Sequence, residues 1–471
     1  MLQRLSLRFR IFLFFGLLVL GAVALAGGAL FYGYGRADPG TDPSSYLTAF
    51  LVFAFLNSGL GIGVWLLFDE NVAKPIERLS ADLRMRAHSG VDAPVDTSAV
   101  RYLGDLGGAV EAVSGQAQAS LEDVAAGIAA ETERLNADHA RLTALLTEMP
   151  IATILINPAR EIVLYDGQAA EILTPIAPPR LKAALDEYFD AAAISTACAE
   201  ASDQNCEVTC TLPTRRGSII HKAQVKPLAD TGHLVFIEIP ERADPAPGAR
   251  PLVFDFNLIS SEAPTDIENT DLDELCFVPF DTETTGLSVK DDAIIQIGAV
   301  RILRGSCVPG EELDLFVNPG RPIPPASTKV HRIADSHVAN APPIAQAGRA
   351  FHDFAKDAVL VAHNAPFDIG LLKEAESEIG RTWTHPVLDT VLISAVVFGV
   401  TEDHSLDALC ARLAIDIPEE DRHTALGDAK VTAQALLKLL PIVKAQGLTT
   451  FGQLRAATAR QAQRLYSGSN T

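Results

Sequence analysis

The chain carries little positive charge for its size. Its 471 residues include 38 Lys and Arg against 59 Asp and Glu, which gives a formal net charge of −21. This balance excludes a broad basic face that would hold nucleic acid by releasing counterions from its phosphates. Any nucleic-acid chemistry must therefore rely on a local site and on bound cations.

Cysteine is also scarce, with six residues at positions 198, 206, 210, 276, 307 and 410. Six are too few for a disulfide scaffold in a chain of this length. The first three are loosely spaced and lack the paired C-x2-C signature of zinc sites. We therefore expect free thiols in a reducing compartment.

Two runs near the N-terminus lack charged residues altogether, over residues 11–33 and 46–68. A helix over either run spans roughly 35 Å, and the hydrocarbon core of a membrane is about 30 Å thick. Basic residues lie before the first run and after the second, which places both ends in the cytoplasm. Residues 1–70 are thus predicted to anchor a multi-pass protein in the bacterial inner membrane, with the later residues in the cytoplasm.

A cleaved signal peptide over residues 1–26 is an alternative for the first run. Ala24-Leu25-Ala26 resembles a small-residue cleavage site, but the apolar run continues to Tyr34, which favours a retained span. Both alternatives leave the residues after Asp69 in the cytoplasm, because the second run still crosses the membrane.

Residues 71–141 are predicted to form a helical connector. Pro75 stands where a helix begins, and Ile76, Leu79 and Leu83 follow at three- and four-residue spacing. This stretch resembles a HAMP segment. Leucine or isoleucine then recurs every seven residues, at 121, 128, 135 and 142, as in one seam of a coiled coil. A weak dimer stalk and a solvent-facing helix remain alternatives, so a homodimer is a possible partner state.

Residues 142–239 have the layout of a PAS domain. A helix is followed by strands over 152–156 and 161–165, another helix, and strands near 207–212, 218–226 and 233–239. The resemblance lies in this order of elements, and no Cys or His indicates a ligand. Structural dimerisation and sensing both stay open. The Pro-rich stretch 240–251 begins a linker predicted to reach residue 273.

Past the linker the pattern changes to alternating strands and helices. Strands are predicted over 275–283, 293–303, 313–317 and 358–362, and helices over 344–356, 389–398, 405–413 and 424–440, the last closed by Pro441. A further helix begins at Asp368. This order predicts an α/β domain over residues 274–445, with a mixed sheet flanked by helices. Residues 446–471 are predicted to form a C-terminal helical tail.

Two carboxylates end the first of these strands. Asp281 and Glu283, in FDTETTGL, are two positions apart and therefore project from the same side of the strand. Left alone, their charges would repel each other. An exposed strand end and a site for divalent cations are the two interpretations of this pair.

Two further motifs follow in order, HNAPFD with Asp368 and HTALGD with His423 and Asp428. With FDTETTGL, they make residues 274–441 resemble the DEDDh 3′-5′ exonucleases. This is the family of the epsilon proofreading subunit of bacterial DNA polymerase III, and the resemblance implies a ribonuclease-H-like fold. The histidine five residues before the final Asp distinguishes this branch from relatives with Tyr there.

The resemblance also implies roles for these residues. Two Mg2+ or Mn2+ ions would be held by the four carboxylates, since hard divalent cations prefer oxygen ligands. His423 would be the general base that takes a proton from the attacking water. The substrate would be contacted by residues of the first two motifs, namely Thr284, Thr285, Gly286, Leu287, Asn364 and Phe367. Ordinary core packing is the alternative for Leu287 and Phe367.

The sequence as a whole favours a membrane-anchored 3′-5′ exonuclease, regulated by its HAMP/PAS-like module, that releases nucleoside monophosphates from 3′ ends of single-stranded DNA or RNA. One alternative is a signalling receptor whose nuclease-like domain only binds nucleic acid. A sensor kinase is another, but no Gly-rich ATP-binding box follows residue 250. The preference for DNA, RNA or short oligonucleotides and any partnership with a polymerase stay open, although the negative charge favours short or single-stranded substrates.

Overall fold

The computed structural model describes residues 7–37, 42–89, 151–215, 219–228, 231–239, 252–260, 266–418 and 422–466. The chain forms two compact units, Met1–Ala126 and Gly127–Thr471. The heptad stripe predicted over 121–142 and the helix predicted to open the PAS-like region lie outside the described residues.

The first unit contains a hairpin of two long helices. Its described elements are α1 (Leu7–Gly35), α2 (Pro43–Phe68), a π-helical turn (Asp69–Ala73) and α3 (Lys74–Ser89). Both α1 and α2 are long and apolar enough to cross a membrane, and the stretches that qualify are not buried within the protein. The two apolar helices predicted from the uncharged runs are therefore present.

Small and charged residues fix the packing of this hairpin. Gly61 lies against α1 so closely that a Cβ there would come within 2.2 Å of the Val19 side chain. At the open end, the Arg8 guanidinium donates two hydrogen bonds to Asp69, of 2.7 and 2.6 Å. The close approach explains why glycine occupies position 61 in an otherwise bulky apolar helix.

The second unit begins with an antiparallel six-stranded sheet in the order β3-β4-β5-β1-β2-β6. Two helices accompany it, α4 (Gly167–Leu173) and α5 (Ala191–Gln204), each capped by an aspartate. The strands predicted from the sequence are all present, and their inward residues form a buried core. Their bounds are β1 Ile151–Ile156, β2 Ile162–Tyr165, β3 Val208–Pro213, β4 Ile220–Leu228, β5 Gly232–Glu238 and β6 Val253–Phe254.

The linker predicted over residues 240–273 is wrong in its second half. Residues 253–254 pair with β2 as the edge strand β6, and Leu258 is buried. Farther on, Leu272 is buried and its N–H donates to the Thr449 carbonyl. Apolar side chains in this stretch find a surface to cover, which the Pro-rich composition of residues 240–251 did not reveal.

A five-stranded mixed sheet forms the rest of the second unit, in the order β11-β10-β7-β8-β9. Strands β7, β8 and β9 are antiparallel neighbours, whereas β10 and β11 run parallel to β7. The predicted α/β class with a mixed, ribonuclease-H-like sheet is confirmed. The strands are β7 Cys276–Thr284, β8 Ile294–Leu303, β9 Ser306–Phe316, β10 Val359–Ala362 and β11 Val387–Asp389.

Nine helices are described around this sheet. They are α6 Pro325–His331, α7 Asp335–Val338, α8 Ile344–Phe354, α9 Ala365–Glu374, α10 Glu376–Ile379, α11 Thr390–Phe398, α12 Leu406–Leu413, α13 Ala425–Ala445 and α14 Phe451–Tyr466. Helix α13 packs on β7 and β8. A Cβ at Gly298 of β8 would come within 2.1 Å of the backbone at Ala425 and Leu426, so glycine is needed where the start of α13 rests on the sheet.

Several predicted boundaries require correction. Helix α13 continues through Pro441 and ends at Ala445, because the buried side chains of Leu439, Leu440 and Val443 hold the helix together although Pro441 lacks an N–H. Strand β9 starts seven residues before the predicted residue 313, and its first five residues are mostly exposed. The segment 325–331, expected to be a loop, forms helix α6.

A buried ion pair lies where the two sheets of the second unit meet. Arg301 of β8 donates from Nε to Glu311 of β9 at 2.8 Å, and both side chains are almost fully buried. Glu311 also accepts the Tyr165 hydroxyl of β2 at 3.2 Å and the N–H of Leu181. Arg301 further donates to the carbonyls of Leu181 and Phe354. This network ties the six-stranded sheet directly to the strands that follow β7.

Candidate active site

Four predicted carboxylates meet at one end of the mixed sheet. One oxygen from each of Asp281, Glu283 and Asp428 can lie within 4.8 Å of the others. Asp368 joins them from α9, and its Oδ1 accepts the Thr282 N–H at 3.2 Å and the Thr282 hydroxyl at 2.6 Å. The structure therefore brings together residues from β7, α9 and α13.

The topology explains this convergence. Strands β7 and β10 are parallel neighbours, so their carboxyl ends open on the same edge of the sheet. Asp281 and Glu283 end β7, and Asp368 lies in the first turn of α9, directly after β10. Asp428 lies in the first turn of α13, which rests on β8. The same sheet edge thus receives all four side chains.

Burial raises the pKa of every member of this cluster, and a neighbouring carboxylate adds to the effect in each case. Burial, followed by the charges of Asp368, Asp428 and Glu283, raises the pKa of Asp281 well above its usual value. Burial and the neighbouring aspartates raise the pKa of Glu283 to about 8. Burial also raises the pKa of Asp368 to about 7 and that of Asp428 to about 6. Without cations, the site therefore retains protons near neutral pH.

An all-oxygen cluster with these properties fits hard divalent cations. Carboxylate oxygens are the ligands that Mg2+ and Mn2+ prefer, and a cation would neutralise the charges that repel one another here. The residues that would hold it are Asp281, Glu283, Asp368 and Asp428. The donor set contains no sulfur or nitrogen that would select a softer metal.

His423 stands at the entry to α13. Its backbone is left-handed, with φ 57°, and its side chain is exposed. The next residue, Thr424, caps the helix by accepting the Gly427 N–H at 3.1 Å. The backbone N–H of His423 also hydrogen-bonds to the Asp428 carboxylate, an interaction that lowers the pKa of Asp428 against the larger effect of burial. This turn places the histidine beside the cluster and leaves its ring open to solvent.

The turn after β7 is braced from within. The Thr284 hydroxyl donates to the Gly286 carbonyl at 2.6 Å, and the Thr285 hydroxyl donates to Asp292 at 2.8 Å. Both threonine side chains are buried, so these two residues can face a ligand only with their backbone. A Cβ at Gly286 would lie 2.5 Å from Asp292, which explains the glycine. Leu287 is 90% exposed at the tip and is not a core residue.

The two predicted contacts in the second motif differ from each other. Asn364 is exposed and left-handed, with φ 68°, at the start of α9. Phe367 is half-buried and packs against the core. Asn364 is therefore available to a ligand. Phe367 packs partly against the core, and only the rest of its side chain is exposed.

Sequence reasoning missed Asp389, which supports the site from β11. Its Oδ1 accepts the N–H of Asn364 at 3.1 Å and that of Val391 at 2.9 Å, while its Oδ2 is buried without a hydrogen bond. One carboxylate thus caps α11 and holds the start of the helix that carries Asp368. An Asp-Thr pair between an apolar strand and a helix is an N-cap signal that could have indicated it.

Gln296 was also missed. Its amide nitrogen donates to Asp314 at 2.7 Å, and its Oε1 accepts the Ala425 N–H at 3.2 Å. A buried polar residue in the largely apolar strand β8 is the signal that could have been used. The contact fixes the start of α13, and therefore the position of Asp428, on β8.

Helix α6, which the sequence did not predict, covers the braced turn. The Ser327 hydroxyl donates to the Thr285 carbonyl at 2.7 Å. One turn later, the buried His331 ring approaches the backbone of Thr284 and accepts the Ile333 N–H at 3.0 Å. These contacts fix the helix directly beside the end of β7.

A relative matches almost the whole chain. A protein of Rhodobacter capsulatus, described as a DNA polymerase III subunit epsilon-like protein, is 31% identical to it. The similarity covers 96% of this chain and 97% of that protein. The chain belongs to the family of DNA polymerase III subunit epsilon-like proteins. Within this epsilon-like chain, residues 278–436 match the family model described as exonuclease. The carboxylate cluster therefore lies in an exonuclease domain.

Other relatives match that domain alone. DNA polymerase III PolC-type of Streptococcus pyogenes serotype M5 is 35% identical over 187 residues, and the match spans 39% of the epsilon-like chain and only 12% of the PolC-type protein. Exonuclease X in complex with 5′ overhanging duplex DNA is 26% identical, with a TM-score of 0.31, over 39% of this chain and 99% of that one. Exonuclease I of E. coli in complex with a dT13 oligonucleotide is 17% identical, with a TM-score of 0.32, over 35% and 41% of the two chains.

Proposed function

We propose that residues 274–445 are a DEDDh-type 3′-5′ exonuclease domain that hydrolyses phosphodiester bonds at 3′ ends of DNA or RNA and releases nucleoside monophosphates. The observation that carries this proposal is the meeting of Asp281, Glu283, Asp368 and Asp428 at one sheet edge, in a domain matched by the exonuclease family. Two Mg2+ or Mn2+ ions, when bound to these carboxylates, supply an activated water and stabilise the leaving 3′ oxygen.

The protein side chains divide the remaining work. The four carboxylates would hold the ions, and the substrate phosphate would bind to the site that these ions neutralise. His423, exposed at the rim, takes the proton of the attacking water as the general base. The backbone of Thr284, Thr285 and Gly286 approaches the terminal sugar. Leu287, Asn364 and Phe367 contact the terminal nucleotide.

Replacing His423 by Ala is expected to lower kcat about 10²- to 10⁴-fold and to change KM little, because a proton acceptor is lost and the metal ligands stay. The assay uses full-length protein in detergent with Mn2+ and a single-stranded oligonucleotide labelled at its 5′ end. A ladder that shortens from the 3′ end supports the proposed polarity. The exposed His337, replaced by Ala, is the matched control.

Early release of the 5′ label as a mononucleotide would contradict the polarity, and full activity in His423→Ala would contradict the role of the histidine. The same assay with DNA and RNA of several lengths decides the substrate preference. Binding without turnover would favour the alternative of a nucleic-acid-binding receptor domain. No ligand of the cluster has been lost, since all four carboxylates are present.

We propose that the N-terminal half anchors and regulates this domain. Residues 1–70 form the membrane anchor, residues 71–141 the HAMP-like connector, and residues 142–239 the PAS-like domain. Two helices with long uncharged runs, exposed apolar surfaces and arginines at the start of the first support the anchor. The strand order of the six-stranded antiparallel sheet supports only the presence of a folded domain before the exonuclease domain.

Full-length protein is expected to float with lipid vesicles, whereas a chain that starts at residue 151 is expected to remain in the soluble fraction. The buried apolar area of two spanning helices is the physical reason. The nuclease rates of the two proteins should also differ if the N-terminal residues regulate the site. Recovery of the full-length protein in the soluble fraction would contradict the anchor, and equal rates would contradict the regulation.

A further inference from the structure

The segment that covers the catalytic turn carries exposed positive charge. Arg321, Lys329 and Arg332 are exposed and lie within twelve positions of one another, in a chain whose net charge is −21. Arg321 donates to the Thr285 hydroxyl at 3.0 Å, so its guanidinium lies at the turn after β7. Arg321 also lies 3.8 Å from Asp292 in an ion pair, so Lys329 and Arg332 supply the remaining positive charge of this segment.

Arg332 has an unusual backbone conformation for its residue type. Its φ is 62° and its ψ is 8°, in the left-handed region that glycine adopts freely and side chains with a Cβ disfavour. The residue ends α6, and glycine would end the helix there without strain. An arginine at this position therefore carries backbone strain that a glycine would avoid. Strain of this kind often accompanies function.

The position of Arg332 is fixed by its neighbours. His331, directly before it, approaches the backbone of Thr284, and Ser327 donates to the Thr285 carbonyl. The backbone of Arg332 is therefore held next to the end of the strand that carries Glu283. Leu287 and Val330, 90% and 55% exposed, lie on the same turn and helix. The turn and the helix that covers it therefore both expose apolar side chains, and the helix ends in a cation.

We propose that Arg332, assisted by Arg321 and Lys329, binds the backbone phosphates of the single strand that leads into the site. This inference rests on the proposed nuclease function. A polynucleotide approaching a protein of strong negative charge needs local cations, and a guanidinium can bind a phosphate with two parallel hydrogen bonds. A nucleotide ester without further phosphates does not need that contact. Arg332 therefore selects a polynucleotide strand over a small phosphodiester.

Arg304 provides a matched control. It also has a left-handed backbone, with φ 50°, and a half-exposed side chain. It lies in the turn between β8 and β9, beside the pair Cys276–Leu303, whereas Asp281 pairs with Gly298 toward the other end of the same two strands. Replacement by glycine relieves the same type of strain at both arginines, but only Arg332 borders the cluster.

The experiment uses full-length protein in detergent with Arg332→Gly, Arg332→Glu and Arg304→Gly. Arg332→Gly is expected to raise KM for an oligothymidylate of about 12 nucleotides roughly tenfold relative to KM for the p-nitrophenyl ester of thymidine 5′-monophosphate. For this variant, the slope of log KM against log salt concentration should be smaller by about one unit. Arg332→Glu should raise the KM ratio and lower the salt slope further. Arg304→Gly should change neither the KM ratio nor the salt slope.

Binding of the same oligothymidylate in Ca2+, followed by fluorescence anisotropy, separates this inference from the proposed function. If the unmodified protein hydrolyses neither substrate, the nuclease proposal fails, while weaker binding by Arg332→Glu still supports the phosphate contact. If Arg332→Glu binds and hydrolyses the oligonucleotide with the affinity and salt slope of the unmodified protein, the inference is overturned.

Discussion

Asp281→Asn is expected to abolish nuclease activity and, at the same time, to raise the melting temperature of the metal-free protein. Activity should fall at least about 10³-fold, because one of the carboxylates that would hold the catalytic ions is lost. Stability should rise because burial and three neighbouring carboxylates disfavour the charged form of Asp281. An amide cannot ionise, so the substitution removes this penalty on the folded metal-free protein.

The gain should depend on pH with a definite sign. The folded-state pKa of Glu283 is raised to about 8 and that of Asp368 to about 7, above the values near 4 of an unfolded chain. The folded metal-free protein therefore binds more protons, and it loses stability as pH rises from about 4 to about 8. Saturating Mg2+ should reverse this loss, since the cation binds the deprotonated cluster.

Calorimetric melting of both proteins at about pH 5 and about pH 8, with EDTA and then with Mg2+, tests this expectation. Glu374→Gln removes an equal charge from an exposed position and corrects for the general effect of net charge. An Asp281→Asn protein that is no more stable than the unmodified one at pH 8 in EDTA would contradict the strained-cluster account. Retained activity would remove Asp281 from the site.

Arg301→Ala is expected to destabilise the second unit by about 3–5 kcal/mol, because Glu311 would remain buried without its cation. The Leu181 and Phe354 carbonyls would lose donors as well. The double variant Arg301→Met, Glu311→Leu should recover only part of the loss, since apolar side chains fill the same space but leave the Tyr165 hydroxyl and the Leu181 N–H without their acceptor. Urea unfolding and calorimetry of the full chain measure both effects.

The adjacent residue offers a matched control. Glu312 pairs with Lys430 at 2.8 Å, with both side chains about 40% exposed. Glu312→Ala should therefore change stability by less than about 0.5 kcal/mol. If Arg301→Ala were as mild as Glu312→Ala, the two sheets would not depend on the buried network. If only residues 151–260 lost stability, the buried pair would stabilise the six-stranded sheet and not the mixed sheet.

The mixed sheet and the carboxylates could be predicted because local signals marked them. Apolar strands ended in acidic residues, and Asp368 and Asp428 lay in first turns of helices that followed recognisable boundaries. The roles assigned to these residues and to His423 stay predictions. Pro441 misled the sequence analysis because the burial that holds α13 together depends on residues distant in sequence.

Long-range contacts account for the remaining differences. The contacts of Asp389 with Asn364, of Gln296 with Ala425 and of Arg301 with Leu181 join residues that only folding brings near, so the sequence did not show them. The linker was overextended for the same reason, because Leu258 and Leu272 are buried by residues far along the chain. Helix α6 was hidden within a run of prolines, where Pro325 begins the helix.

The absence of one methyl group at Gly298 has a consequence for how the site tolerates change. Main chain rests on main chain where α13 meets β8, so the separation of these elements is set by peptide thickness and not by the sizes of neighbouring side chains. Substitutions elsewhere in the apolar interior can therefore accumulate without moving Asp428. The distances within the cluster do not depend on sequence change in the rest of the protein.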